Sequence, residues 1–329
     1  MHWNLTMKAI RFAKTGGPEV LALQEIELPP PGSGQVRVRH KAIGVNFIDT
    51  YHRSGLYKLP LPSGLGVEAA GSVDAVGEGV TAFKPGDRVA YCTAPVGAYA
   101  EAHNVPADKL VKLPDGISEE TAAAAMLKGL TAQYLLKQTY AVKKGQTILF
   151  HSAAGGVGLI AGQWAKHLGA TVIGTVGSDT KIELAKAHGY DRLLNLRQDE
   201  WVERVREWTN GQGVPVVYDS VGKDSFAGSL DCLAVRGMMV SFGNSSGAVP
   251  AFEPAVLAAK GSLYLTRPTL FHYANTPKAL QEMADDLFAV IKSGAVKIAI
   301  NQRFALTDAR AAHEALHSRK TTGATILIP

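Results

Sequence analysis

Between Phe150 and Leu159 the chain reads His151-Ser-Ala-Ala-Gly-Gly-Val-Gly158. The spacing G-x-G-x-x-G falls on Ala153, Gly155 and Gly158, with alanine at its first glycine. Glycines in a turn between a strand and a helix let the backbone approach a pyrophosphate. The helix's first N–H groups, at the positive end of its dipole, then hold the anion. Taken alone the spacing is weak, since glycine-rich turns occur in many α/β proteins. Its flanks give it meaning. Thr147 to Ser152 suits a buried strand, and Val157, Ile160, Ala161, Trp164, Ala165 and Leu168 form an apolar helical stripe. Gly169 closes that helix as a C-terminal cap, and Ala170 to Val176 reads as the next strand. This is the strand–helix–strand unit that a dinucleotide site requires. It makes Gly155, Gly156, Val157 and Gly158 the expected phosphate contacts and a cofactor-dependent oxidoreductase the leading reading.

The elements that must position this turn repeat downstream. A helix opened by Asp179 stops at Gly189, and Tyr190–Leu196 is a third strand. Glu200–Asn210 is helical, Pro215–Val221 is a fourth strand, Met238–Phe242 a fifth and Ser262–Thr266 a sixth. Such alternation predicts an α/β fold, a doubly wound parallel sheet with helices on both faces, over residues 130–270. Ligands of open parallel sheets lie beyond the carboxyl ends of the strands. That adds Gly177, Ser178, Ser220, Val221, Phe242 and Gly243 as candidate contacts. An acidic residue usually ends the second strand when the cofactor is NADH, accepting from the ribose 2′-OH. Gly177 and Ser178 stand there instead. Gly177 leaves room for a 2′-phosphate, Ser178 can donate to it and Lys181 can supply charge, which favours NADPH. Asp179 is expected to cap the next helix.

Residues 7–129 read differently. Gln35–Ile43 alternates like a half-buried strand, and turns recur at Gly16-Gly-Pro18, Pro29-Pro-Pro-Gly32 and Lys84-Pro-Gly-Asp87. This is a module of short strands. The tail is mixed, with helices over Pro277–Ser293 and Asp308–Ser318 and a strand over Ala324–Ile328.

A chain of 329 residues exceeds one ordinary core, so two domains are expected. Its 46% hydrophobic and 19% charged residues describe a soluble globular protein. The net charge of +5 comes from scattered residues without a basic run or basic–aromatic alternation, which argues against a nucleic-acid groove. No apolar run has transmembrane length. Met1–Met7 has no signal-peptide pattern, Met7 begins the first strand-like segment, and residues 1–6 read as a ragged extension. Cys92 and Cys232 give no disulfide framework, which fits a reducing cytoplasm. His103 and His151 lack metal-ligand spacing and are read as structural.

The first module carries Gly64-Leu-Gly-Val-Glu-Ala-Ala-Gly71 and Val73-Asp-Ala-Val-Gly77. These resemble the GroES-like domain of the medium-chain dehydrogenase/reductase superfamily. Val67 stands where that superfamily's zinc enzymes have a ligand histidine, although Glu68 remains. Valine offers no lone pair, and two isolated cysteines cannot build the tetrahedral structural-zinc lobe. Four further segments are similar to the zinc-free quinone oxidoreductases, the zeta-crystallin-like group that includes bacterial NADPH:quinone reductases. They are Gly44-Val-Asn-Phe-Ile-Asp-Thr-Tyr-His-Arg-Ser-Gly-Leu-Tyr57, Leu127-Lys-Gly-Leu-Thr131, Val217-Tyr-Asp-Ser-Val-Gly222 and Val240-Ser-Phe-Gly-Asn-Ser-Ser-Gly247. The likeness covers nearly the whole chain after Met7.

The resemblance implies a GroES-like catalytic domain (1–129 and 271–329) and a Rossmann cofactor domain (130–270), with nicotinamide and quinone in the cleft between them. It implies a homodimer joined through the strand near Ser262–Thr266. Asn46 and Tyr51 are then the catalytic candidates. Tyr51 would donate to a carbonyl gaining negative charge, and Asn46 would fix the carboxamide or the quinone. Asp49 lies beside them and is read as supporting the loop. Glu68 is read as a structural remnant holding the cleft wall. Thr131, expected to open a helix, resembles a nicotinamide contact. Lys181 resembles a contact of the phosphate region. A tyrosine expected after the third strand is replaced by Leu196, with Arg197 beside it to supply charge. Thr266, Arg267, Pro268 and Arg319 resemble residues that close over the cofactor. No metal is expected; orientation of donor and acceptor in a dry site supplies much of the rate. Two alternatives remain from sequence: a zinc-free reductase of activated alkenes or enals, and a non-enzymatic RNA-binding or crystallin-like role.

Overall fold

The computed structural model describes residues 4–198 and 200–329. In chain order the elements begin with β1 (Leu5–Phe12), β2 (Ala22–Leu28), β3 (Gln35–Val45), α1 (Phe47–Ser54), β4 (Ser63–Gly64), β5 (Ala69–Val76), β6 (Arg88–Tyr91), β7 (Ala102–Pro106), β8 (Val111–Lys112) and α2 (Glu119–Tyr134). Then come β9 (Thr147–Phe150), α3 (Gly156–His167), β10 (Thr171–Val176), α4 (Ile182–Lys186), β11 (Arg192–Asn195), α5 (Trp201–Trp208), β12 (Val214–Asp219), α6 (Phe226–Asp231), β13 (Leu233–Ser241), α7 (Ala255–Ala259), β14 (Tyr264–Thr266) and α8 (Leu270–Tyr273). The chain finishes with α9 (Pro277–Lys292), β15 (Ile300–Ala305), α10 (Ala309–His317) and β16 (Ala324–Ile328).

Two compact units result. One holds residues 1–130, 274–292 and 298–329; the other holds 131–273 and 293–297. These ranges differ by a few residues from the expected ones, for local reasons. Tyr273 stacks on Tyr134 at 4.5 Å. Lys297 exchanges hydrogen bonds with the Gln163 amide, 2.9 and 3.0 Å.

In the β-rich unit β1 is flanked by β2 and β4, and the larger sheet runs β15-β16-β3-β5-β6-β8, with β7 also on β3. Leu5 and Thr6 do not trail: they pair with Leu28 and Glu27. Residues 1–3 lie outside the described part. The apolar residues of β3 pack with Phe12, Leu65, Tyr91, Tyr99 and Leu327 into one core.

The second unit is a parallel sheet of six strands among the described residues, in the order β11-β10-β9-β12-β13-β14. Counted within the unit this is 3-2-1-4-5-6, the doubly wound dinucleotide-binding order, whose direction reverses between β9 and β12. Continuous buried runs explain it. Ile148, Leu149 and Phe150, then Val216, Val217 and Tyr218, are buried on both faces, as a parallel sheet between helices demands. Ile160, Ala161, Trp164 and Ala165 bury one face of α3. Gly169 follows in the left-handed conformation, φ 84°.

Several boundaries move. β9 ends at Phe150, because Ser152 has φ 59° and begins the turn. β13 starts five residues earlier than expected, at Leu233 rather than Met238. β12 stops at Asp219, whose carboxylate folds back onto the amides of Val221 and Gly222. Thr131 does not open a helix; it lies in the last turn of α2, which the Ala122–Ala125 run carries past Gly129.

Candidate functional site

The carboxyl edge of the parallel sheet gathers most of the sequence candidates. After β9 the turn delivers Gly155 as the N-cap of α3, with no side-chain cap bond. The N–H groups of Gly156, Val157 and Gly158 are therefore first-turn donors without intrahelical acceptors. Gly158 must be glycine: a Cβ there would lie 2.2 Å from Ser152 O and 2.7 Å from Ala153 O, both backbone. Ala153, at the first glycine position, is tolerated because Gly174 faces it; a Cβ on Gly174 would come within 2.9 Å of the Ala153 methyl.

Gly177 follows β10 directly, and a Cβ there would meet no atom within 4 Å. Beyond it, Ser178 Oγ meets Thr180 Oγ1 at 2.9 Å. Lys181 sits close enough to Arg197 for the second cation to lower its pKa, after partial burial, the larger cause. Arg197 is held by its own N–H donating to Asn195 Oδ1, 3.1 Å. Asp179 does not cap the following helix. Ser178 occupies the cap position, and the Asp179 carboxylate accepts from Asn195 Nδ2 at 3.0 Å. That draws its charge toward the end of β11 and away from the first-turn amides.

Ser220 and Val221 follow β12, and their loop is tied by a residue the sequence reading quoted but gave no role. Buried Asp219 accepts the N–H of Val221 (2.8 Å) and Gly222 (3.0 Å) on Oδ1, and the hydroxyls of Ser225 (2.6 Å) and Ser229 (2.9 Å) on Oδ2. Ser229 spends its proton on Asp219, so its oxygen takes the Nε2–H of His151, 2.8 Å. His151 Nδ1 is then the acceptor for the Thr175 hydroxyl, 2.7 Å. Burial keeps this imidazole neutral, with its pKa lowered despite Asp219. Phe242 N–H donates to Asp219 O at 2.7 Å, setting Phe242 and Gly243 beside the same loop. Arg267 Nη1 donates to Ser241 O at 2.8 Å, next to Thr266 and Pro268 after β14.

The β-rich unit holds Asn46, Asp49, Tyr51 and Arg319. Asn46 is the N-cap of α1. Its Nδ2 donates to Glu68 Oε2, 2.8 Å, so one of its two amide protons is committed within the unit. Glu68 is fully buried and also takes Leu127 N–H (2.6 Å) and Lys128 Nζ (3.3 Å). A valine at position 67 leaves this carboxylate to lysine and amide partners. Among the described residues no three His, Cys, Asp or Glu side chains gather as metal ligands would. Asp49, fully buried, accepts the Asn46 N–H (2.9 Å) and the Tyr99 hydroxyl (3.0 Å) on Oδ2. Burial pushes its pKa up to about 7 against those two bonds. Tyr51 meets Tyr57 edge-on at 5.3 Å. Arg319 lies just past α10 with φ 57°, its N–H on Leu316 O at 3.1 Å. Lys128, Tyr99 and His313 were not singled out from sequence, because only the tertiary fold brings them to Glu68 and Asp49.

A parallel sheet in 3-2-1-4-5-6 order, with a glycine turn at its first strand and a β-rich unit in the same chain, defines a dehydrogenase-type oxidoreductase. Residues 32–115 match the family model "Alcohol dehydrogenase GroES-like domain", and residues 156–285 match "Zinc-binding dehydrogenase". A quinone oxidoreductase of Pseudomonas aeruginosa is 58% identical over 98% of this chain and 99% of its own. The crystal structure of Escherichia coli quinone oxidoreductase complexed with NADPH superimposes with a TM-score of 0.97 at 53% identity, covering 98% of this chain and 100% of that one. A 2-haloacrylate reductase of Burkholderia is 46% identical over 96% of this chain and 97% of its own. The chain belongs to the quinone oxidoreductases of the medium-chain dehydrogenase/reductase superfamily.

Proposed function

We propose that this protein is an NADPH:quinone reductase that works without a metal ion. The observation that carries the reading is the end of β10: open space at Gly177, with Lys181 and Arg197 close together beyond it. Two cations beside a carboxylate-free strand end suit a 2′-phosphate, and the first-turn amides of α3 suit the pyrophosphate. Val67, standing where a metal ligand would be, supports metal-free chemistry. When bound, the cofactor supplies a hydride or its electrons, and a quinone needs no Lewis acid to accept them. Residues 130–270 would hold the cofactor, and the β-rich domain, 1–129 and 271–329, the acceptor side. There Asn46 keeps one amide proton free of Glu68 for orienting a ligand, and Tyr51 would donate to the oxygen that gains charge.

A second reading, reduction of an activated alkene, is favoured by the 2-haloacrylate reductase at 46% identity. It would keep every cofactor residue and change only the acceptor. We further propose a homodimer in which β14 edges pair. β14 ends the sheet, and Tyr264 (60% exposed), Leu265 (37%) and neighbouring Val235 (77%) leave an apolar rim along it. Two free, buried cysteines fit a reducing cytoplasm. No helix among the described residues is long and apolar enough to cross a membrane.

NADPH and NADH oxidation should be followed in parallel with a small quinone and an enal, with a chelator present. Chelator-resistant NADPH oxidation with the quinone is the expected result. Preference for the enal would move the function to alkene reduction. Tight NADPH binding with no turnover would leave a binding role.

A further inference from the structure

We propose that His313 is a positioning residue for the Asn46 and Tyr51 site, acting through Tyr99 on the Asp49 carboxylate that ties down the start of α1. This rests on the reading of Asn46 and Tyr51 as acceptor-side groups.

The chain of bonds has a fixed sense. Arg53 Nη1 lies 3.0 Å from His313 Nδ1. A guanidinium has only donors, so Nδ1 accepts and the imidazole proton sits on Nε2. Nε2–H then donates to Tyr99 Oη, 3.0 Å away. The Tyr99 proton is left for Asp49 Oδ2, also at 3.0 Å. The same oxygen takes the Asn46 N–H at 2.9 Å. Arg53 is anchored in turn, its Nε donating to Gly16 O at 3.2 Å. Asp49, Tyr99 and His313 are fully buried, and Arg53 and Asn46 nearly so. A polarised series of this kind in a low-dielectric interior fixes each member's orientation. Both ends of α1 are caught by it: Asn46 at the N-cap and Arg53 in the last turn. Tyr51 lies between them.

Burial disfavours the Asp49 carboxylate, while the Asn46 and Tyr99 bonds and the Lys128 charge favour it, and Glu68 opposes it. Burial and the adjoining Arg53 keep His313 neutral at about 3, and Glu19 is the nearby carboxylate facing Arg53. Asp49 Oδ1 has no partner, so a proton added there breaks no bond but weakens Oδ2 as an acceptor. The grip on Asn46 thus depends on the Asp49 charge, which Tyr99 and His313 sustain. Losing the His313 donor lets the Tyr99 hydroxyl turn away and raises the pH at which Asp49 ionises.

The test uses the full chain carrying Tyr99→Phe, His313→Phe, His313→Gln or, as a control in a separate buried cluster, His103→Gln. Two readouts are needed. One is the pH dependence of kcat for NADPH oxidation with a benzoquinone. The other is the pH titration of the Asn46 backbone amide in protein labelled with 15N-asparagine, which needs no turnover. The Asn46 amide should titrate near pH 7, the Asp49 value. Tyr99→Phe and His313→Phe should move that midpoint up by about one unit, the worth of one hydrogen bond to a charged group. At pH 7 kcat should fall about fivefold, as the ionised fraction of Asp49 does, with KM for NADPH nearly unchanged, the mark of misplaced groups and not of lost cofactor binding. His313→Gln keeps a donor toward Tyr99 and should recover most of both losses; His103→Gln should move neither. An Asn46 midpoint unmoved in folded Tyr99→Phe, or a control that shifts it equally, overturns the proposal. Should His313→Phe fail to fold, Tyr99→Phe, which removes one oxygen, carries the test. A wild-type protein inactive toward quinones would sink the functional reading alone, since the amide titration still reports on the chain of bonds.

Discussion

Charge is spent sparingly at the level of single residues, and each expenditure has a measurable counterpart. Lys181→Ala or Arg197→Ala should raise KM for NADPH by about ten- to hundredfold, the range of one lost charge-assisted bond, and change KM for NADH less than twofold. Equal effects on both cofactors would show that these cations do not read the 2′-phosphate. Glu68→Ala should destabilise the fold by roughly 3–5 kcal/mol in urea titration, because it strands buried Lys128 and two donors. A loss under 1 kcal/mol would mean that the ion pair and its amide contacts are dispensable. What could be read in advance divides along the same line. The place of Gly177, Ser178 and Lys181 just after β10 was legible because a strand end and its successors are adjacent in sequence. Tyr99 and His313 were not: 50 and 264 residues separate them from Asp49, and neither histidine spacing nor hydropathy marks a partner that far away. Asp219 was visible as a letter in a motif, but its four bonds exist only once the loop has closed.

Among elements, the join between β9 and α3 is tight. Gly158→Ala would push a methyl into the backbone oxygens of Ser152 and Ala153. The helix must tilt away, and NADPH affinity should fall at least tenfold. Isothermal titration with NADPH checks this; unchanged affinity would remove α3 from the phosphate site. The parallel character of the sheet followed from alternating apolar runs and stripes, which is why its six strands were legible, whereas their order is a tertiary fact. Its edges were less so. β13 begins at Leu233 because Leu233 pairs with Val214 across a register shift before Met238 meets Val216, an irregularity no local pattern announces. α2 persists through Gly129 because neighbouring alanines and leucines outweigh one glycine, worth about 1 kcal/mol.

For the molecule as a whole, buried titratable groups set the response to acid. His40 and His313 are pushed down to about 3, and His103 to about 4, chiefly by burial. Unfolded histidines titrate near 6.5, so between these values the unfolded chain binds more protons and stability rises with pH. Asp49 works the other way: raised to about 7 by burial, it binds its proton more readily folded, and stability falls as pH rises from about 4 to 7. With His52 and His151 lowered in the same sense by burial, several groups oppose one below pH 6.5. The net slope there is at least on the order of 2 kcal/mol per pH unit, and stability should level off near and above pH 7. Tm measured at pH 5, 6 and 7 should climb by several degrees per unit; a flat or falling series would show that the histidines are not held neutral.

The pairing of β16 with β3 sets the order in which the chain can mature. Val45, Gly44 and Ile43 meet Thr325, Ile326 and Leu327, so the central strand of the β-rich unit gains that neighbour only when residues 325–327 have been made. All six strands of the parallel sheet lie between residues 147 and 266, and they leave the ribosome well before that neighbour arrives. Synthesis therefore lets the inserted unit close while its host still exposes the β16-facing edge of Ile43–Val45 at the end of β3. A nascent chain stalled near residue 300 would carry a finished parallel sheet and an unfinished β-rich sheet.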